Sequence, residues 1–338
     1  MGEMGALRLL MDWQALDHIP ESGSITYTEL AAKINAEEPL VRRMCWMLVS
    51  TGVLKQIGED KVAHTKFSPL YANKNPQGLF FKIMMDEGML PYTRWPDYFR
   101  TYGRKEPNTV THVPHGFGWG EPEKTFWEMA SGERLEDYNT GLQTADEFLP
   151  ITGIFPFKWI AENAHAVADD APLIVDVGGG RGHALRRIRA ECPDIPRERM
   201  VLEDRPPVIE EVVRLGLAEL QGVKKIAHDF FKEQPVKGAL VYYLRRIMHD
   251  WSDDLDCTIL GHLRDAMTPN SRILITEQVV TNPPSSLTAQ TDLVLMNIGG
   301  KERTEKDWRT LIATAGLEIV KFWNAEATEV SVIECKKP

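Results

Sequence analysis

The run Val175-Asp176-Val177-Gly178-Gly179-Gly180-Arg181-Gly182-His183 sets a cluster of glycines directly behind an apolar stretch. Such a turn, opening a helix, lets a ligand come close to bare backbone. The spacing narrows the ligand. A pyrophosphate fingerprint G-x-G-x-x-G opened at Gly178 needs a small residue at His183, and opened at Gly180 needs one at Leu185. Neither fits. Glycines at 178, 180 and 182 instead suit S-adenosylmethionine, a cofactor without pyrophosphate. Twenty-two residues past Gly182, at the end of the next apolar run, stands Asp204, whose carboxylate can accept both ribose hydroxyl protons. Asp229, followed by Phe230 and Phe231, is expected at the same sheet edge, where a carboxylate can take the adenine amine and an aromatic can cover the ring face.

A second stretch could do proton chemistry. Leu244-Arg245-Arg246-Ile247-Met248-His249-Asp250-Trp251 follows the fourth expected strand, which puts His249 at the carboxyl edge beside the same crevice. An imidazole titrates near neutral pH and can take a proton, provided its other nitrogen is held by a partner. Glu277, ending Ile273-Leu274-Ile275-Thr276-Glu277, and Glu302, within Gly299-Gly300-Lys301-Glu302-Arg303-Thr304, are the available carboxylates. Taken singly, each is more often a surface or capping residue.

The elements that must position these groups read as an α/β domain. Short apolar runs at 173–177, 200–203, 225–227, 239–243, 273–276, 317–323 and 330–335 predict seven strands. Helical patterns such as Leu255, Ile259, Leu263, Met267 and Trp308, Leu311, Ile312, Ala315 lie between them. The last two strands are joined by too few residues for a crossover helix, so a hairpin adds an antiparallel strand to a doubly wound, Rossmann-like sheet. Before this domain, Thr26-Tyr27-Thr28-Glu29 fits a capping box, and a second helix opens at Pro39 with Leu40, Met44, Met47 and Leu48 at helical spacing. Two short runs, 53–56 and 62–65, complete a winged-helix outline. Between the two, residues 78–159 are rich in Met and aromatics and could line an apolar ligand site. The expected organisation is 1–75 winged-helix or dimerisation domain, 76–160 helical connector contributing to the substrate pocket, and 161–338 S-adenosylmethionine-binding domain.

Charge bounds the partners. The 338 residues carry 39 Lys and Arg against 49 Asp and Glu, a formal charge of −10. That balance argues against an affinity built on phosphate neutralisation, and the helix at Pro39 offers few cations beyond Arg42 and Arg43, so nucleic acid is not an expected partner. Cys45, Cys192, Cys257 and Cys335 are scattered without metal-ligand spacing, which fits a reducing, cytoplasmic setting. No leader and no membrane segment are expected, since no apolar run approaches the roughly 18 residues a spanning helix needs.

Taken in order, VDVGGGRG at 175–182, Asp204 in LEDRPPVI, HDFF at 228–231, LRRIMHDWSD at 244–253 and GGKERT at 299–304 resemble the S-adenosylmethionine-dependent small-molecule O-methyltransferases of the plant caffeic acid and fungal secondary-metabolite type. The resemblance covers nearly the whole chain. It implies that His249 is the general base, flanked by Glu277 and Glu302, and that no metal is required. Gly178, Gly180, Asp204, Asp229, Phe230 and Arg245 would hold the cofactor. Tyr138, Leu142, Met296 and Asn297 would line the substrate, a small molecule bearing a phenolic or enolic hydroxyl. A homodimer is implied too, with a weaker contact than usual because the first helix is expected near Gly5 rather than after a long arm. Two other readings fit the same residues: a pericyclase or dehydratase that keeps the cofactor without transferring methyl, and a cofactor-sensing transcription regulator using the winged helix.

Overall fold

A computed structural model describes residues 1–142, 144 and 149–338, and the chain divides into two units. The first unit comprises Met1–Leu90 with Trp127–Glu147. It carries three short antiparallel strands, β1 (Ile25–Thr26), β2 (Leu54–Ile57) and β3 (Lys61–His64), in the order β1-β3-β2. The capping box is present: Thr26 Oγ1 accepts from Glu29 N at 3.1 Å while Glu29 Oε2 accepts from Thr26 N at 3.0 Å, and helix Tyr27–Lys33 begins there. Helix Glu38–Ser50 buries Val41, Cys45 and Leu48, whereas Leu40 is 39% exposed. Of the expected Leu40, Met44, Met47 and Leu48, Leu48 is fully buried and Met44 and Met47 pack partly buried against the core, while Leu40 faces out and Val41 and Cys45 fill the inward positions. The first helix runs Gly2–Asp12, earlier than Gly5.

The second unit, Pro91–Phe126 with Phe148–Pro338, holds the large sheet. Its strands are β4 (Ile174–Val177), β5 (Met200–Asp204), β6 (Lys224–Ala227), β7 (Val241–Arg245), β8 (Arg272–Val280), β9 (Arg303–Thr304), β10 (Glu318–Asn324) and β11 (Val330–Lys336). The order is β10-β11-β8-β7-β4-β5-β6, with β9 joined to β8 alone. Neighbours from β8 to β6 run parallel, while β11 is antiparallel to both β8 and β10. All seven expected strands form, including the terminal hairpin. The eighth, β9, has two residues and is too short to show a period.

Every residue of β4 is buried, as a central strand covered on both faces requires. Apolar layers lie on either side, one around Phe157, Ile188 and Leu202, the other around Ile259, Leu263 and Trp308. Burying an aliphatic side chain of this kind stabilises the fold by about 1.5–3 kcal/mol. From β4 the chain winds outward to β5 and β6, then returns to place β7 on the other side of β4. This reversal opens a crevice at the carboxyl ends of β4 and β7. Both chemistry-bearing stretches sit there. Among the described residues no helix is long and apolar enough to cross a membrane.

Candidate active site

The glycine turn joins β4 to helix His183–Glu191, and Gly178, Gly180 and Gly182 all have positive φ (69°, 56° and 75°). At Gly178 the requirement is spatial as well, since a Cβ there would lie 2.6 Å from Ile247 Cδ1. Phe230 comes up on the same side, its Cε1 3.6 Å from that position. The turn, the aromatic after β6 and the approach to His249 thus meet at one edge. Gly180 faces open space, and its N–H donates to Asp204 Oδ2 at 2.8 Å. Asp204 Oδ1 accepts from the Arg205 amide at 2.7 Å, so two backbone donors fix the carboxylate at the end of β5. Asp229 is exposed and accepts from Phe231 N at 3.0 Å. Phe230, Phe231 and Trp251 stack edge-on, with centroids 4.9–5.9 Å apart.

Arg245, ending β7, donates to the Leu149 carbonyl at 2.7 Å. Asp176 in β4 is fully buried, and burial pushes its carboxyl up to about 7, with the Arg245 charge opposing. After β7, Arg246 takes a left-handed conformation (φ 55°) that turns the chain into the 3-10 segment Met248–Asp250. Glu277, on β8, fixes the start of that segment: its Oε1 accepts from Ile247 N at 2.9 Å and Met248 N at 3.0 Å. Its Oε2 lies 3.4 Å from His249 Nδ1, and Glu302 Oε1 accepts from the same nitrogen at 3.2 Å. Glu302 is itself held, its N–H donating to Asp292 Oδ1 at 2.8 Å.

His249 is 5% exposed. Burial alone would lower its proton affinity, but the carboxylates of Glu277, Asp250 and Glu302 outweigh burial and raise the pKa to about 9. With Nδ1 facing two glutamates, Nε2 is the nitrogen left for a reactant; Asp250 Oδ1 stands 3.6 Å from it, beyond hydrogen-bond reach. One atom each of His249, Glu277 and Glu302 lie within 4.8 Å of one another, a spacing compatible with a cation. The imidazole–carboxylate hydrogen bond and the two amides use Glu277 Oε1 and Glu302 Oε1, while Glu277 Oε2 and Glu302 Oε2 are buried with no hydrogen-bond partner among the described residues.

The segment Gly299–Thr304 closes over this turn. A Cβ on Gly300 would sit 2.1 Å from the His249 carbonyl oxygen, and Lys301 N donates to that oxygen at 2.9 Å. Met296, at the end of helix Ser286–Met296, lines a cleft of about 550 Å³ together with Phe99, Arg104, Lys105, Glu106 and Pro107. Asn297 is buried, its Oδ1 accepting from Trp95 Nε1 at 2.8 Å. Tyr138 and Leu142 belong to the first unit, on helix Glu133–Leu142, with Tyr138 edge-on to Trp127 at 6.2 Å. The structure therefore gathers His249, Glu277, Glu302, Gly178 and Phe230 at one sheet edge, with Asp204 tied to Gly180. Sequence reading missed Asp250, Gly300 and Arg303 as parts of this turn. The first directly follows the histidine and the other two flank Glu302, so proximity in the chain was the available signal.

This arrangement has relatives. The O-methyltransferase domain family model matches residues 163–318. A methyltransferase of Aspergillus candidus, cfoD, is 42% identical over 349 residues, covering 100% of this chain and 85% of its own. Another, pynC of Aspergillus niger, is 34% identical, covering 99% of this chain and 94% of its own. The crystal structure of OxaC in complex with sinefungin and meleagrin superposes with a TM-score of 0.90 at 28% identity, covering 100% of this chain and 86% of that one. With a glycine turn, a strand-end carboxylate and a glutamate-flanked histidine on one sheet edge, and with relatives this similar along its whole length, the chain belongs to the O-methyltransferase family and is a methyltransferase.

Proposed function

We propose that the enzyme methylates a phenolic or enolic hydroxyl on an apolar secondary metabolite, with S-adenosylmethionine as donor and His249 as general base. The observation that carries this reading is the buried imidazole, with Nδ1 against two glutamates and Nε2 making no hydrogen bond among the described residues, 3.6 Å from Asp250. The residues present fit the donor. Gly180 opens onto space, and Asp176 Oδ2 is buried with no hydrogen-bond partner among the described residues. Asp204 spends two acceptor positions on backbone amides and, of the roughly four a carboxylate has, keeps two for the ribose hydroxyls. Asp229 would take the adenine amine, Phe230 the ring face, and Gly178 and Arg245 would border the remainder. When bound, the donor supplies an electrophilic methyl on a cationic sulfur.

The chain's own residues do the rest. His249 Nε2 takes the acceptor's proton as its oxygen becomes nucleophilic, a role worth about 10²- to 10⁴-fold. Glu277 and Glu302 stabilise the imidazolium that results. Holding the acceptor oxygen aligned in a site closed to water contributes the larger part of the acceleration. The first unit exposes Trp46 and Phe67, which supports its use as the contact face of a homodimer.

Mass spectrometry of acceptor reactions tests the reading. A gain of one methylene with equimolar S-adenosylhomocysteine is expected; a rearranged or dehydrated product without that release would mean the cofactor is kept and not consumed. Asp204→Ala is expected to weaken donor binding about tenfold or more through loss of a charge-assisted pair of hydrogen bonds, measured by calorimetry. Unchanged affinity would remove Asp204 from the ribose role.

The raised pKa of His249 sets a pH dependence. The base works only when neutral, so kcat/KM rises with pH and levels off above about 9. Glu302→Gln removes one of the charges that hold the proton on, so its rising limb moves to lower pH. A limb that stays in place in that variant would belong to another group, such as the acceptor hydroxyl itself.

A further inference from the structure

We propose that Arg303 is a positioning residue for His249, clamping the 248–251 turn so that the imidazole stays against Glu277 and Glu302. This rests on the reading of His249 as the base. Arg303 is 1% exposed and lies in β9, paired with Val279 of β8, the strand that also carries Glu277. Its guanidinium reaches out of the sheet to the turn: Nη1 donates to the Met248 carbonyl at 3.0 Å and Nη2 to the Trp251 carbonyl at 2.9 Å. Those two carbonyls bracket His249 and Asp250. The rest of the fork is anchored on helix Asp253–Ala266, with Nε and Nη2 donating to Asp253 Oδ1 at 2.9 and 2.7 Å and Nη2 lying 2.8 Å from Asp256 Oδ2. Trp308 covers the guanidinium, its ring centroid 5.4 Å from Cζ. One planar side chain therefore joins the β8–β9 pair, with Glu277 on β8 and Glu302 just ahead of β9, the turn bearing the base and the helix that follows it.

A buried ion pair adds little net stability over an apolar replacement. What the guanidinium supplies here is geometry, because its fixed fork serves two carbonyls and the Asp253 carboxylate at once, with Asp256 beside it; a lysine ammonium keeps the charge but not the fork. The charged groups that act on His249 are Glu277 from β8, Glu302 ahead of β9 and Asp250 from its own turn. Behind them, Arg246 acts on Asp250, and Asp292 from helix Ser286–Met296 accepts from the Glu302 amide. A turn released from Arg303 lets the ring move away from these carboxylates.

The test is Arg303→Lys in the full-length enzyme, read by kinetics and by NMR titration of the His249 ring, assigned with His249→Asn. Turnover is expected to fall about ten- to a hundredfold with acceptor KM and donor affinity within about threefold, the mark of a misplaced base rather than a lost binding contact. The ring's titration midpoint is expected to drop from its high value toward the ordinary histidine range. Wild-type turnover and an unmoved midpoint in the folded variant would overturn the proposal, as would an activity loss matched by the unfolded fraction alone. Should Arg303→Lys not fold, Asp253→Ala decides: that side chain is 52% exposed, so the fold is kept while the fork loses an anchor. A lower midpoint with reduced turnover supports the clamp, and no change in either contradicts it. Full activity in His249→Ala would dismiss the base itself, whereas the ring titration still reports whether Arg303 places it.

Discussion

His249→Ala is expected to lower turnover by at least about a hundredfold while donor affinity stays within about threefold. The imidazole's Nε2 makes no hydrogen bond among the described residues, Asp250 Oδ1 being 3.6 Å away, and the proposed donor contacts lie on Gly178, Gly180, Asp204 and Phe230 instead. The substitution also strands Glu277 and Glu302, two buried carboxylates that face one cation. Removing one partner of a buried pair costs about 3–5 kcal/mol unless the carboxylates take up a proton. Thermal unfolding must therefore accompany the kinetics, with His249→Asn as the milder variant. The stability effect has a pH signature. The folded-state pKa of about 9 exceeds the ordinary 6.5, so the contribution is fully present below about 6.5 and fades as pH rises through 9. Wild-type unfolding temperature should fall across that window and the alanine variant's should not. Undiminished turnover of a methylated acceptor would take His249 out of the base role.

The second large effect belongs to a residue with no reactive group. Gly300→Ala sets a Cβ 2.1 Å from the His249 carbonyl oxygen and 2.8 and 2.9 Å from backbone atoms of Asp250, so the turn or the 299–304 segment must give way. Overpacking against backbone costs about 1–3 kcal/mol or more, and an ångström of displacement at a catalytic group is worth about a hundredfold in rate. Turnover is expected to drop by about that factor together with the unfolding temperature. Gly261→Ala, a helical position with nothing within 4 Å of the added carbon, is the control and should be neutral or stabilising. Wild-type kinetics in Gly300→Ala would mean that the base turn does not depend on this contact.

These two residues mark what a sequence can and cannot disclose. The glycine turn, the strand-end Asp204 and the histidine after the fourth strand follow from local spacing and from the rule that parallel strands present their carboxyl ends to ligands, and the sheet that forms matches them. The demand on Gly300 depends instead on how closely two segments approach across the fold. The Arg303–Asp256 pair is likewise a tertiary contact, its members separated along the chain by strand β8 and helix Ser286–Met296. The segment 91–126 joins the second unit through Trp95 and Asn297, which are 202 positions apart. On helix Glu38–Ser50 the spacing places Leu48, Met44 and Met47 on the core but not Val41 and Cys45, whose burial in place of Leu40 depends on packing against neighbouring elements. For Asn297, which the resemblance implies as substrate-lining, the structure adds that its side-chain oxygen accepts from Trp95 Nε1.

The most direct test of the central claim is a crystal structure of the enzyme with sinefungin and an acceptor found by screening phenols and enols for S-adenosylhomocysteine release. The expected result places the acceptor oxygen about 2.6–3.2 Å from His249 Nε2, in line with the carbon of sinefungin that replaces the donor's sulfur. An acceptor bound away from that nitrogen, or an imidazole turned out of the crevice while the analogue sits on the glycine turn, would contradict it.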